Sequence, residues 1–536
     1  METRAFSATR RALAAWAVVT LAFGLCGVPT VARAADDTIP ELRWALPSIP
    51  DTLLIGHAWS TYGGAIVSLV QEGTLAFGDD LKLAPAIADS WKQTDPTTYV
   101  YHLRQGVTFS DGKPLTADDV VFSMKWNMDP KNRSQLASFY AGVTSIEATG
   151  DREVTVKLDK PNTQFQYTVA HMAGFVMQKA QMEAHPEDYG SPSVMPVGTG
   201  PFKLTEFAPG DHVTLEANDA YWGGAPKVRK ITISAIPDQQ ARLLAMRNGD
   251  IDGTFDLPIS DIEQWKKIDT ARIVTAPSLG VYLLTMDRDA APFDDVHVRR
   301  ALSYAVDRKG LVAALLKGLG APATAINPPG IWAGVLTADE ATSFYDGLNP
   351  YAFDLEKAKA ELKQSKVPDG FSVKIESPNS VPYVTQSLVN LASNLAQIGI
   401  TLDVREVDHS QWLSDYFGHE NLGLSFMSYF PDYPDPANYP YLFFSSSTAV
   451  KDGLNGSNFK NPEVDAALAT ALQSSDPAAR ATALKQVFKI TNDDATVVSL
   501  FWPDTAMAIN SKYDFTGFNA FWYNVPWAIR GLTPKP

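Results

Sequence analysis

The chain has 536 residues, of which 45% are hydrophobic and 20% are charged, and its formal net charge is −15. This length exceeds what one hydrophobic core usually organises, so two or three domains are expected. The composition is that of a soluble globular protein, and the acidic excess argues against partners that select basic faces, namely nucleic acids and anionic membrane surfaces.

The N-terminal segment has the pattern of an export signal. Arg10 and Arg11 belong to a basic start, the 17 residues 12–28 are apolar, and Ala32-Arg33-Ala34 is a small-residue cleavage site. The apolar run is shorter than the roughly 20 residues of a spanning helix, which favours a cleaved signal peptide over a membrane anchor. We therefore predict a signal peptide over residues 1–34, exported by either the general or the twin-arginine pathway.

The single cysteine, Cys26, lies inside this segment. Leu25, the residue directly before it, is not the small residue that lipid attachment favours, and lipidation of Cys26 stays open. Cleavage after Ala34 leaves a mature chain without disulfides, thiolate nucleophiles or thiolate metal ligands. An acidic, exported protein without cysteine fits the bacterial periplasm.

The stretch from Trp91 to Trp126 combines a strand, a turn and a helix start. Residues 99–104 alternate with the period of two that is typical of a half-buried strand. Ser110-Asp111-Gly112 has the residues of a turn, and Thr116 precedes acidic residues as a helix N-cap does. This order of elements favours a mixed α/β fold.

The rest of the chain continues the mixed pattern. Predicted strands include residues 154–158, 213–216 and 231–233, and predicted helices include 238–248, 296–316, 355–363, 384–396 and 477–491. Gly198-Thr199-Gly200 is interpreted as a tight turn, because it lacks the lysine of a P-loop and the glycine spacing of a dinucleotide turn. Asp294 and Asp295 are interpreted as helix caps.

Enzyme and metal sites find little support in the residues. A hydrolase nucleophile would favour a G-x-S-x-G elbow, which is absent from the sequence. The eight histidines are scattered without HxH or HxxxH spacing, which argues against a preformed zinc site. A secreted hydrolase is therefore the least favoured of the functions considered, and no cofactor and no metal are expected.

Several segments, in order, resemble those of the family 5 extracellular solute-binding proteins, the peptide- and nickel-type receptors of bacterial ABC importers. The matching segments are HLRQGVTFSDGKPLTADDVVFS at 102–123, GTGPF at 198–202, NDAYW at 218–222, 238–252, 291–308, 395–404, 461–465 and 474–480. The resemblance covers nearly the whole mature chain.

The resemblance implies an α/β, two-lobed, hinged periplasmic binding protein fold with an additional subdomain. Expected boundaries are 35–61 plus 196–277 plus 501–536 for lobe I, 62–195 for the extra subdomain and 278–500 for lobe II. The resemblance also implies a monomeric receptor, not an enzyme, that captures di- or oligopeptides between the lobes and delivers them to an ABC permease at the inner membrane.

The strongest candidate for ligand binding is the segment Ser428–Pro436, whose three prolines forbid a helix and most sheet pairing. Taken alone, it is either an acidic surface turn or a rigid loop that presents a carboxylate to a cation. The resemblance implies the second, because in the family's peptide receptors the Asp of an Asp-x-x-[Asp/Glu]-Pro segment binds the peptide α-ammonium. Asp432 matches that position and Tyr429 a nearby pocket aromatic, while Asp435 is expected to structure the loop.

Further lining residues are predicted from their place along the chain. His57 and Trp59 follow the first strand, whose equivalent loop faces the cleft in the family, and Trp412 is an additional aromatic candidate. This chain lacks the Leu-Asp-Pro that members often carry after that strand, and it has Tyr429 where they often have tryptophan. An opine, an oligosaccharide or a nickel complex therefore remains an alternative solute, and no arginine is assigned to a ligand carboxylate.

Overall fold

The computed structural model describes residues 38–420 and 422–535. Its strands are β1 (Leu42–Leu46), β2 (Leu75–Phe77), β3 (Leu83–Pro85), β4 (Ala88–Asp95), β5 (Thr98–Leu103), β6 (Val143–Gly150), β7 (Glu153–Leu158), β8 (Phe202–Ala208), β9 (His212–Ala217), β10 (Lys230–Ala235), β11 (Gly253–Thr254), β12 (Ala271–Pro277), β13 (Val281–Met286), β14 (Gly320–Pro322), β15 (Ser372–Pro378), β16 (Thr401–Val407), β17 (Leu424–Tyr429), β18 (Val497–Asn510), β19 (Tyr513–Phe515) and β20 (Leu532–Pro534).

The α-helices alternate with these strands, as the sequence predicts for a mixed α/β fold. They are α1 (Thr61–Val67), α2 (Ala117–Met128), α3 (Phe165–Thr168), α4 (Lys179–Ala184), α5 (Gln239–Asn248), α6 (Ile262–Trp265), α7 (Val296–Tyr304), α8 (Arg308–Ala314), α9 (Ala338–Asp346), α10 (Leu355–Leu362), α11 (Pro382–Ala396), α12 (His409–Gly418), α13 (Asn438–Phe444), α14 (Pro462–Gln473) and α15 (Pro477–Asp493).

The largest sheet is organised around β18. Its strand order is β17-β13-β18-β11-β1-β10-β9-β8, and β12 and β14 also pair with β18. The first part of this 14-residue strand pairs with β13 and the second part with β12. Where the chain passes from β12 to β13, the Ser278 backbone N–H donates to the Pro503 carbonyl (3.2 Å). The chain therefore passes between the two ends of the sheet twice, at Ser278 and at Pro503, and the two passages are hydrogen-bonded side by side. We call this place the crossing.

Two large hydrophobic cores lie on either side of this crossing. The first core takes its buried residues mainly from 39–255 and 507–532, and the second takes them from 281–502. C-terminal aromatics complete the first core: the Trp527 ring lies 4.8 Å from the Trp44 ring, and its indole N–H donates to the Ala65 carbonyl (2.9 Å). The first core draws on both the predicted lobe I and the predicted extra subdomain, whose boundaries stay a prediction.

The stretch from Trp91 to Trp126 folds as the sequence predicts. β5 lies inside a four-stranded antiparallel sheet of order β4-β5-β7-β6. Thr116 caps α2 in a reciprocal capping box: its hydroxyl accepts from the Asp119 backbone N–H, and the Asp119 carboxylate accepts from the Thr116 backbone N–H. The local signals were sufficient here, because the alternation, the turn and the cap each depend on a few neighbouring residues.

Two predictions near residue 300 are corrected by the structure. The single helix predicted over 296–316 is two helices, α7 and α8, because the Asp307 carboxylate accepts from the Gly310 backbone N–H (2.9 Å) and starts a new helix. Asp295 caps α7 as predicted, whereas Asp294 forms an ion pair with Lys366 instead of a cap.

Two of the family-like motifs, those at 198–202 and 218–222, meet at one buried carboxylate, Glu72, which is 6% exposed. It accepts hydrogen bonds from the Tyr221 hydroxyl (2.8 Å), the Trp222 indole N–H (2.8 Å) and the Thr199 hydroxyl (3.0 Å). The neighbouring glycines are required by packing, because a Cβ on Gly198 would lie 1.9 Å from the Val70 carbonyl oxygen. The Gly198-Thr199-Gly200 turn is thus part of a structural cluster, as its interpretation as a tight turn predicts.

Glu72 makes the stability of the fold depend on pH. Burial raises the pKa of the Glu72 carboxyl to about 7, against the opposing effect of its three hydrogen bonds. Between the unfolded pKa near 4.3 and pH 7, the folded state holds a proton that the unfolded state releases, so this contribution to stability is lost as pH rises. Glu72→Gln is expected to remove this pH dependence of stability, which amounts to about 3–4 kcal/mol across this window.

The measurement is the thermal unfolding midpoint at pH 5 and pH 8 for the wild type and Glu72→Gln. The glutamine keeps an acceptor for the neighbouring donors, so the variant should gain in stability relative to the wild type at pH 8 but not at pH 5. Glu147→Gln, at an exposed position on β6, is the matched control. An equal pH dependence in the wild type and Glu72→Gln would contradict the assignment.

None of the helices in the described part of the chain combines the length and the apolar character needed to cross a bilayer. The predicted signal peptide over residues 1–34 and Cys26 lie outside the described residues.

Candidate functional site

The loop that follows β17 carries the predicted ligand carboxylate. β17 ends at Tyr429, and prolines at 431, 434 and 436 prevent the strand from continuing. The Tyr429 hydroxyl donates to Asp432 Oδ2 (2.9 Å). The Tyr429 ring packs edge-on against Tyr439 (5.3 Å) and Phe443 (5.8 Å), which fixes the hydroxyl under the carboxylate. The structure therefore brings Asp432 and Tyr429 together, as the sequence predicts.

Asp432 is a partly buried carboxylate without a cationic partner. Within residues 38–420 and 422–535, no lysine, arginine or histidine nitrogen lies within 4 Å of it. Burial raises the pKa of the Asp432 carboxyl, and the hydrogen bond from Tyr429 opposes that shift. Burial and the nearby charge of Asp432 raise the pKa of Tyr429 well above its usual value, so its hydroxyl remains a donor. The carboxylate is desolvated and available to an incoming cation.

Asp435, three residues further along the chain, is fully buried and, unlike Asp432, is paired with a cation. It is 0% exposed, and both of its carboxylate oxygens accept from Arg480 Nη2 (2.8 and 2.6 Å). Asp435 also accepts from the Ala437 backbone N–H (2.9 Å), at the entry to α13. Arg480 lies on α15, so the ion pair joins the loop to that helix. Asp435 holds the loop in place, as the sequence predicts.

The first core contributes a second set of polar groups to this region. Burial raises the pKa of Tyr523, and the charges of Asp432 and Asp256 raise it further, so Tyr523 lies near both carboxylates. Asp256 follows β11 with a left-handed φ of 54°, and burial raises its pKa as well. The Tyr62 hydroxyl interacts with Asp256.

Arg242 is a buried cation beside Asp256 and Tyr62 that sequence reasoning did not single out. It lies on α5, is 2% exposed, and its charge acts on both Asp256 and Tyr62. Its Nη1 donates to the Ile236 carbonyl (3.3 Å), and its Nε–H has no hydrogen-bond partner. Asp256 could have been suspected from its place directly after a strand, but no local pattern marks Arg242.

His57 and Trp59 contact residues of the predicted extra subdomain, and the Phe139 ring that Trp59 contacts also packs against Tyr433, the neighbour of Asp432. The His57 ring nitrogen Nε2 lies 2.6 Å from the Asn132 carbonyl, and its ring packs against Trp126. Trp59 is 41% exposed and lies edge-on against Phe139 (5.7 Å). The ligand role predicted for these two residues stays a prediction.

Trp412 lies inside the second core. It is 5% exposed, its indole N–H donates to the Phe426 carbonyl (3.1 Å), and its ring stacks on the Phe426 ring (5.7 Å). It lines a cavity of about 620 Å³ between β15, β17 and α12. These contacts explain the packing of Trp412 without a ligand, and its predicted binding role stays a prediction.

Across residues 38–420 and 422–535, no three or more His, Cys, Asp or Glu side chains are arranged to hold a metal ion. What the site offers is a free carboxylate, tyrosine hydroxyls and aromatic faces. Such a set can bind an ammonium group through a charge-assisted hydrogen bond and can bury the apolar atoms attached to it.

Comparison with known proteins gives consistent results. Residues 82–451 match the family described as bacterial extracellular solute-binding proteins, family 5 Middle. The glutathione-binding protein GsiB of Shigella dysenteriae serotype 1 is 27% identical over 517 residues, which cover 95% of this chain and 96% of that protein.

Solved structures share the fold. CtaP, an ABC transporter substrate-binding protein of Listeria monocytogenes, superposes with a TM-score of 0.80 at 24% identity and covers 93% of this chain and 100% of its own. The periplasmic binding protein DppA of Helicobacter pylori, in complex with the peptide STSA, has a TM-score of 0.74 at 22% identity, with coverages of 94% and 99%. The fold of this chain is therefore that of the two-lobed periplasmic binding proteins.

Proposed function

Because the chain belongs to the bacterial extracellular solute-binding proteins of family 5, we propose that it captures short peptides with a free α-amino group between its two lobes. Proteins of this family are receptors that work with ABC permeases, not enzymes, which confirms the predicted class. The peptide is the finer part of the proposal, and it rests on the chemistry around Asp432.

The observation that carries the proposal is the unpaired Asp432 carboxylate. A peptide α-ammonium placed there would replace the missing counter-ion and form a charge-assisted hydrogen bond. Without such a cation, the desolvated carboxylate raises the free energy of the protein, as its raised pKa indicates. The hydroxyl of Tyr429 already occupies one acceptor position on Oδ2, which leaves the other oxygen for the ligand.

The remaining contacts would come from both cores. Tyr523, Asp256 and Tyr62 of the first core would form the wall opposite to Asp432. An extended peptide would continue the pairing of β17 through its backbone, while water fills the space around variable side chains. The lobes are those given by the predicted boundaries, and closure is a hinge motion about the crossing at Ser278 and Pro503.

We further propose that the mature protein acts as a periplasmic monomer after removal of residues 1–34. The name of the relative GsiB makes glutathione a useful first probe. Glutathione is a tripeptide with a free α-ammonium, so it carries the group that Asp432 would bind.

The experiment has two steps. Native mass spectrometry of the purified protein identifies any solute that it retains, and a sugar, an opine or a nickel complex there would overturn the peptide proposal. Calorimetry then compares glutathione and trialanine with their Nα-acetylated forms. Binding should be at least tenfold weaker after acetylation, because the charge that Asp432 receives has been removed. Equal affinities for free and acetylated peptides would contradict the role of the carboxylate.

A further inference from the structure

Tyr433 directly follows the ligand carboxylate in the chain but packs against the other core. Its ring lies edge-on against Phe139 (5.4 Å), near Tyr167 (6.1 Å) and His171 (6.4 Å). Phe139 and Tyr167 belong to the first core and His171 stacks on Phe139, whereas β17 and α13 on either side of the loop belong to the second. Tyr433 thus lies on a loop between two elements of the second core, and its ring packs against the first core.

The surface that receives Tyr433 is rigid and apolar. Phe139 and His171 stack at 4.5 Å with their rings nearly parallel, and both are at least nine-tenths buried. Burial lowers the pKa of His171 to about 3, so its ring is neutral, and its Nδ1 accepts from the Ala173 backbone N–H (3.2 Å). The hydroxyl of Tyr433 interacts with that of Thr168. A further aromatic ring packs favourably edge-on against rings of this kind, as Tyr433 does here.

The loop is therefore held at two residues, Tyr433 and Asp435, which both lie close after Asp432 in the chain. Asp435 holds it to α15 through Arg480, and Arg480 also interacts with Tyr167 of the first core. Tyr433 holds it to the first core. Asp432 lies next to Tyr433, so a loop that moves away from the first core takes the ligand carboxylate with it.

We propose that Tyr433 is a positioning residue that couples ligand binding to contact between the two cores. Docking of its ring against Phe139 and His171 places Asp432 opposite the wall formed by Tyr523 and Asp256. By linkage, a ligand cation on Asp432 favours the docked ring, and the docked ring strengthens ligand binding by the same free energy. Affinity differences between variants of one site appear mostly in the dissociation rate, so loss of the docked ring should speed release. This inference rests on the proposed function, since Asp432 must be the residue that receives the ligand.

The test is the dissociation rate of glutathione and of trialanine, measured by stopped flow for four proteins. Tyr433→Ala should release each probe about tenfold faster or more, because it loses an aromatic contact and its buried area at the junction of the cores. Tyr433→Phe keeps the ring and should stay within threefold of the wild type. Phe417→Ala is the matched control, since Phe417 is a partly buried ring that packs against Tyr416 within the second core alone.

A second measurement separates positioning from general destabilisation. Phe139→Leu removes the partner ring but keeps apolar volume, so its effect on release should not add to that of Tyr433→Ala in the double variant. Additive effects, an unchanged rate for Tyr433→Ala, or a Tyr433→Phe variant as fast as Tyr433→Ala would each overturn the inference. Failure of the wild type to bind either probe would overturn the proposed function and this inference with it, whereas normal binding by Tyr433→Ala overturns the inference alone.

Discussion

Asp432→Asn is expected to weaken the binding of a peptide with a free α-amino group by about 100-fold, or about 3 kcal/mol. The carboxylate is partly buried, has no cation within 4 Å in the described parts of the chain, and holds only the Tyr429 hydroxyl. Asparagine keeps the shape and one acceptor oxygen but cannot balance the charge of the ammonium. Isothermal titration calorimetry with glutathione and trialanine measures the loss directly.

The same substitution should make the ligand-free protein more stable. The pKa of Asp432 is raised in the folded state, so keeping the group ionised near neutral pH costs folding free energy. Removing the charge should raise the thermal unfolding midpoint at pH 7, and this gain should fade as pH falls through the raised pKa. If Asp432→Asn binds the peptide more weakly but is more stable than the wild type, the burial of this carboxylate costs stability and is kept for binding.

The control for both measurements is Asp403→Asn. Asp403 is 55% exposed and pairs only with the exposed Arg405, so neither affinity nor stability should change. If Asp432→Asn binds trialanine as tightly as the wild type, the α-ammonium does not bind at Asp432, and the role proposed for this loop is wrong.

Breaking the Asp435–Arg480 pair should cost about 3–5 kcal/mol of folding stability, the largest structural effect that we expect. The guanidinium is 6% exposed and the carboxylate 0% exposed, so either single substitution leaves a buried charge without its partner. Asp435→Asn and Arg480→Met should therefore both lower the thermal unfolding midpoint. Arg480 Nε also donates to the Ala471 carbonyl (2.8 Å), so Arg480→Met frees that acceptor as well.

The double variant Asp435→Asn/Arg480→Met distinguishes a lost pair from lost packing. Because it removes both charges, it should recover much of the stability lost by either single variant. Thermal unfolding of the four proteins completes the cycle. Additive losses in the double variant would show that the pair itself contributes nothing beyond the separate contacts of the two side chains. Asp432→Asn should thus raise the thermal unfolding midpoint and Asp435→Asn should lower it, although the two residues are only three positions apart.

The sequence predicted those parts of the fold that short-range chemistry decides. The strand at Tyr99, the N-cap at Thr116 and the helix start at Pro477 were predicted from patterns only a few residues long, and all three are present. The break between α7 and α8 was missed, because the apolar periodicity continues across it and Asp307 was not weighed as a second cap.

The site was predictable only where the chain itself brings residues together. Tyr429 and Asp432 are three positions apart, so the order of residues in one loop was enough to place them. Only tertiary packing brings together Tyr523 of the C-terminal segment, Asp256 after β11 and Arg242 on α5. His57, Trp59 and Trp412 were chosen by residue type and place along the chain, which do not fix what a side chain contacts.

Trp527 also sets the order in which the protein can form during synthesis. Its ring packs on Trp44 and its indole binds Ala65, more than 460 residues earlier in the chain. The first core therefore cannot be completed until Trp527 has left the ribosome, long after β1 has been made. The second core, drawn from 281–502, can form earlier. Contacts at this sequence separation form slowly. Until Trp527 is available, the nascent chain would hold the earlier part of the first core without the ring that completes it.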